Sequence, residues 1–153
     1  VDANESWNEA DLLVETEALA ALGVEMIEQP IRHGEEHRLG GLSPCLPYCA
    51  DESCQDRSDM PRLADFPAIN IKLDKAGGLT EAIALAQLAQ HQKKRLMVGC
   101  MLCTSLAIAP AFLIAQGAEW VDLDGALLLE KDRASGLALH DGLLHPGALW
   151  GTP

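Results

Sequence analysis

Basic residues are scarce in this chain: 11 Lys and Arg stand against 23 Asp and Glu, for a net charge of -12. That balance argues against a nucleic-acid surface, which needs clustered cations to displace counterions. No apolar run approaches the roughly 18 to 20 residues of a membrane span. A zinc set is incomplete as well. Cys100 and Cys103 form one CxxC, with neither a second such pair nor paired histidines beside it. The five cysteines are odd in number and scattered, which suits a reducing compartment better than a disulfide framework. A cytoplasmic protein binding neither nucleic acid nor membrane is expected. The chain also lacks a leader pattern and an initiating Met. Val1-Asp2-Ala3-Asn4 reads instead as the end of a strand whose beginning is missing, so a fragment or processed piece is expected.

What is present fits one soluble domain with a substantial core: 153 residues, 48% hydrophobic and 22% charged. Helical periodicity is predicted over 9–22, with Gly23 as a C-terminal cap, and over 79–92, closed by Lys93, Lys94 and Arg95. A further helix is predicted over 105–116, a weak one over 58–65, and at most a short one within 32–41. Strands are predicted at 24–27, 46–50, 68–73, 96–98 and 120–123, and residues beyond 134 read as hairpin or loop. Strand, turn and helix repeat in units of roughly 20 to 30 residues, the period of βα modules in a parallel sheet or barrel.

Each unit ends its strand on a residue able to carry chemistry. Asp2, Glu28 and Asp51 would bring three oxygen donors to one rim, an arrangement suited to a hard cation such as Mg²⁺. The plainer reading makes them helix caps. In the stretch AINIKLDKAGG, Ile69, Ile71 and Leu73 alternate against Asn70, Lys72 and Asp74. Lys72 therefore stands at a strand's carboxyl end before a glycine turn, where α/β folds keep their active groups. Asp122 and Asp124 are two apart on a predicted strand and would face the same way. Two like charges there suggest a site for an ammonium group, or else a solvated strand end. The CxxC at Cys100 is the rival feature and would imply a low-pKa redox thiol. Buried thiols are the plainer explanation, and Trp120 is most simply core.

Taken together these residues resemble the enolase superfamily in its muconate-lactonizing subgroup. More narrowly, DANESW at 2–7, EQP at 28–30, CADESC at 49–54, NIKLDKAGGLTEA at 70–82, GCMLCTS at 99–105 and DLDG at 122–125 resemble the L-Ala-D/L-Glu epimerases, or dipeptide epimerases. The likeness runs from residue 1 to about 128 and is weak after 130. It implies an α/β fold, a partial TIM-type (β/α) barrel, with 1–133 as its C-terminal part. The tail 134–153 would pack against a capping domain that this chain lacks.

The resemblance further implies one Mg²⁺ per active site, held by Asp2, Glu28 and Asp51. Lys72 would be the acid/base on one face of the substrate carbon, its pKa lowered by the cation. Lys75, on the other strand face, would take no part. Asp122 and Asp124 would bind the dipeptide's ammonium group, and Cys100 would touch substrate. The reaction implied is epimerisation of L-Ala-D-Glu or L-Ala-L-Glu by 1,1-proton transfer through an enediolate, in murein-peptide recycling. Such enzymes also need a second lysine, from a K-x-K motif on the strand before Asp2, and an N-terminal capping domain. This chain has neither, so it is expected to be inactive alone, completed by other barrel strands or by another chain, with a homo-oligomer left open. Alternatives are an N-acylamino-acid racemase or o-succinylbenzoate synthase of the same superfamily, or a catalytically dead binding module.

Overall fold

The parallel sheet is built from strands that are apolar on one face and mixed on the other. In the computed structural model, which describes residues 1–145, 147 and 148, five strands pair in sequence order. They are β1 (Ile27–Glu28), β2 (Tyr48–Ala50), β3 (Ala68–Lys72), β4 (Arg95–Gly99) and β5 (Trp120–Asp122). All four pairings are parallel, and Asp2 adds a parallel bridge to Glu28 at the first edge. The helix α1 (Glu9–Ala21) precedes β1; α2 (Leu73–Ala76) and α3 (Leu79–His91) join β3 to β4, and α4 (Ser105–Ile108) and α5 (Ala111–Ala115) join β4 to β5. The β1–β2 and β2–β3 connections carry 3-10 turns at Glu36–Leu39 and Arg57–Leu63, where the short helix within 32–41 and the weak one over 58–65 are predicted. The result is a curled half-barrel, as the strand–turn–helix repeat predicts.

Register sorts the side chains. Ile27, Tyr48, Ala50, Ile69, Ile71, Leu96 and Val98 point outward into one apolar core with helix residues such as Leu12, Leu85 and Ile108. Tyr48 is fully buried there and donates from its hydroxyl to Leu12 O at 2.8 Å. The inward face is layered. Met26, Cys49, Ala68 and Met97 form a second, smaller apolar cluster with Trp120 beside it. Glu28, Asp51, Asn70 and Asp122 follow two residues further toward the carboxyl ends, and Lys72 two beyond Asn70, because side chains two apart share a face. Trp120 is therefore only partly core: the Arg95 guanidinium lies 4.1 Å over its ring, and its Nε1 donates to Glu25 at 3.3 Å.

Predicted bounds shift in several places, as where the strand predicted over 24–27 is found at Ile27–Glu28. β3 stops at Lys72, because Leu73 begins the helical turn α2, closed by Gly77 at φ +76°. The helix predicted over 105–116 is two pieces, since Pro110 lacks an amide donor and interrupts the hydrogen-bond ladder. Lys94 does not cap α3; its Nζ donates to Leu63 O and Phe66 O, both at 2.6 Å, tying the preceding loop to the sheet.

The tail is a hairpin, β6 (Ala138–His140) with β7 (Leu143–His145), antiparallel. Leu137 and Leu144 pack on the chain's own core, and the Leu137 amide donates to Ser105 Oγ. Of the predicted tail 134–153, residues 146 and 149–153 lie outside the described ones. Among the described residues no helix is long and apolar enough to cross a membrane.

Candidate functional site

The carboxyl ends of the strands bring the predicted residues to one rim. Glu28 ends β1 and is only 6% exposed. Asn70 reaches it from β3, donating its amide to Glu28 Oε1 at 2.6 Å. Burial pushes the Glu28 carboxyl up to about 7; Asn70 opposes that, and the charges of Asp51 and Asp2 add to it. Three carboxylates thus press on one another here.

Asp51, one residue beyond β2, is buried between two ammonium groups. Lys72 Nζ donates to its Oδ2 at 2.6 Å and Lys75 Nζ to its Oδ1 at 2.5 Å. Lys75 also donates to the carbonyls of Asp51 and Asn70. The sequence-based expectation that Lys75 faces away is thus corrected. The turn α2 swings it back over the strand end, whereas an extended chain would have carried it to the outer face. The lowered pKa expected for Lys72 belongs to a site holding the cation; with Asp51 as its partner instead, the balance is different. Burial pulls its ammonium down, but the hydrogen bond and charge of Asp51, with Glu28 and Glu52 beyond, hold it above the ordinary lysine value.

Asp2 is exposed, and its carboxylate is turned onto Asn4, accepting from the Asn4 amide at 2.8 Å and from Nδ2 at 2.7 Å. Asp122 ends β5, but Asp124 lies past the strand, at the start of a 3-10 turn, so the two do not share a strand face. They still meet. Burial raises the Asp122 carboxyl, the charge and side chain of Asp124 raise it further, and Lys72 pulls the other way. Cys100 Sγ accepts from the Gly125 amide at 3.4 Å. A Cβ on Gly125 would lie 2.4 Å from Met101 O, so only glycine lets these two loops touch. Burial raises the thiols of both Cys100 and Cys103, the opposite of what a redox pair requires.

Gly99 decides how Asn70 and Lys72 sit. A Cβ there would meet Asn70 Nδ2 at 2.8 Å, Asn70 Oδ1 at 2.9 Å and Lys72 Cε at 3.1 Å. The alternation of 69–73 puts Asn70 on the site face, but no local signal gives it a role. Its Oδ1 is buried without a hydrogen-bond partner. Among the described residues, no three His, Cys, Asp or Glu groups stand in a ready-made ligand cluster. The donor chemistry nonetheless fits a hard cation: three carboxylates lie on adjacent strand ends, and Glu28 among them is pushed up first by its burial and then by the charges of the other two. A cleft of about 510 Å³ runs beside β5, lined by Asp122, Asp124, Phe112, Leu127 and Leu143. Glu28, Asp51 and Lys72 do not line it.

Comparison with known proteins shows the family. The profile of the family described as "Enolase C-terminal domain-like" matches residues 1–151, and the chain belongs to that family. It is 49% identical over 154 residues to an N-acetyl-D-glutamate racemase of a Pseudoalteromonas species, covering 99% of this chain and 49% of that protein. It is 47% identical over 146 residues to the L-Ala-D/L-Glu epimerase of Escherichia coli strain K12, covering 95% and 46%. The chain thus spans about half the length of these curated relatives. Among solved structures, an enolase family member from Agrobacterium tumefaciens with homology to dipeptide epimerases, holding sodium and L-Ala-L-Glu, superposes with a TM-score of 0.93. The identity is 45%, over 98% of this chain and 47% of that one. A dipeptide epimerase from Methylococcus capsulatus, complexed with Mg and L-Arg-D-Lys, superposes at 0.86 with 36% identity, over 95% and 44%.

Proposed function

We propose that this chain is the carboxyl-terminal part of a Mg²⁺-dependent isomerase that inverts the glutamate α-carbon of L-Ala-D/L-Glu by 1,1-proton transfer. One observation carries the reading: Lys72 sits at hydrogen-bond distance from Asp51, on the rim where Glu28 is buried under the charges of Asp51 and Asp2. Asp2, Glu28 and Asp51 would hold the cation through hard oxygens. Doing so would draw Asp2 off Asn4 and Asp51 Oδ2 off Lys72. When bound, Mg²⁺ supplies positive charge against the substrate carboxylate and so acidifies the α C–H. Lys72, released from Asp51, would take that proton at Nζ as the neutral amine and, as the resulting ammonium, return one on the same face of the carbon. Lys75 stays on Asp51 Oδ1 and keeps the carboxylate in place. Asp122 and Asp124 would face the dipeptide's ammonium group, with Cys100 bordering it.

Transfer on the opposite face needs a second base, which would come from barrel strands preceding Asp2. The tail 134–153 would pack against a capping domain, and this chain by itself would leave the inversion half done. Dipeptides of this kind derive from murein peptides, which puts the reaction in cell-wall recycling in the cytoplasm.

A second reading rests on the relative at 49% identity, whose name makes N-acetyl-D-glutamate its substrate. L-Ala-Glu and N-acetylglutamate are both N-acylated glutamates and differ at the free ammonium. The Asp122–Asp124 pair favours the dipeptide, because two carboxylates that raise one another are relieved by a cationic partner. Incubating the intact protein and Mg²⁺ in D₂O with each compound separates the two. Deuterium at the α-carbon of L-Ala-L-Glu supports the epimerase. Exchange confined to N-acetyl-D-glutamate moves the assignment to the racemase, and no exchange in either sinks both.

A further inference from the structure

We propose that Gln29 is a positioning residue that sets the spacing of the three carboxylates Asp2, Glu28 and Asp51. The inference rests on the metal reading above. Gln29 is fully buried, directly after Glu28, and has φ +34°, a conformation glutamine adopts only when its surroundings over-determine it. Its side-chain amide uses every donor and acceptor it has. Nε2 donates to Ile31 O at 2.8 Å and to Ser53 Oγ at 2.9 Å. Oε1 accepts from the backbone amides of Asp51 at 2.8 Å and Ser53 at 3.1 Å. Its backbone ties the same loops: its N–H donates to Cys49 O, and its carbonyl accepts from the Glu5 amide, both at 2.8 Å.

One residue therefore binds the loops carrying Asp2, Glu28 and Asp51. No side chain that only donates or only accepts could replace it. An apolar group of the same length would strand the Asp51 and Ser53 amides in a buried place. The loop after β2 would then be free to shift, and Asp51 with it. Gln29 touches none of the reacting atoms in this scheme; it acts through Asp51.

The test is Mn²⁺ binding to the intact protein, followed by electron paramagnetic resonance, so that the readout does not depend on turnover. Gln29→Met keeps the volume and removes all four side-chain bonds. It should weaken Mn²⁺ binding about tenfold or more, the usual size for an outer partner of a metal ligand. Ser53→Ala removes one of the four Gln29 side-chain bonds, together with the Ser53 hydroxyl's contact to Glu36, and should weaken binding about threefold, which keeps the test available if Gln29→Met does not fold. Tyr48→Phe, a buried hydrogen-bond loss on the outer face, should lower Tm and leave Mn²⁺ affinity at the parent value. If Gln29→Met and Ser53→Ala both bind Mn²⁺ as tightly as the parent, the positioning role is overturned. If Asp51→Asn also binds as the parent does, the metal reading itself fails, which is a separate result.

Discussion

Asn70 on β3 donates to Glu28 on β1 at 2.6 Å, although β2 lies between their strands. Only a curled sheet brings side chains from non-adjacent strands that close. The bond partly offsets the desolvation of a carboxylate that has two others near it. Asn70→Leu should remove it and leave Glu28 buried with no donor. Unfolding free energy should fall by about 1–3 kcal/mol, measured by urea denaturation. An unchanged midpoint and slope would show that the pair contributes nothing.

Gly99 makes room for that arrangement. Gly99→Ala should cost roughly 1–3 kcal/mol as overpacking, because neither the Asn70 amide nor the Lys72 stem can retreat without losing a bond. α-Deuterium incorporation should drop as well, since Lys72 is displaced. A variant as stable and as active as the parent would mean that the close approach is slack.

Asp124→Asn tests substrate choice. Its carboxylate adds to the charge around Asp122, and a dipeptide ammonium would face both. Its kcat/KM for L-Ala-L-Glu should fall roughly tenfold or more, the worth of a hydrogen bond to a charged group, with little change for N-acetyl-D-glutamate. Equal loss on both compounds would detach the pair from ammonium recognition.

The thiols should react in the order of their burial. Burial pushes Cys54 up to about 12 and holds Cys49 well above the ordinary thiol value, while Cys45 is exposed. A group with its pKa raised stays protonated and unreactive at pH 8, so a disulfide reagent should modify Cys45 first and Cys49 and Cys54 only on unfolding. Cys100 and Cys103, also raised, should lag behind Cys45. A Cys100 or Cys103 faster than Cys45 would revive the redox reading.

Period and punctuation made the architecture legible. Alternation in 68–73, the long apolar periodicity of 79–92 and glycines after helices are local signals, and each marks an element that the structure contains. Residues whose position depends on a neighbouring loop were not legible in that way. Gln29 in EQP looks like a linker until the Asp51 and Ser53 amides are seen to rest on it. Lys75 looks like an outward lysine until α2 turns it around.

The amino-acid order by itself determined the parallel αβ repeat and the residue at each strand's carboxyl end, because strand and helix periods are properties of the local chain. Only the tertiary structure decided which of those residues share a carboxylate, how Asn70 crosses to Glu28 and why two lysines converge on Asp51. Those contacts join positions 21 to 42 residues apart, and sheet curvature and loop closure set them rather than any local preference.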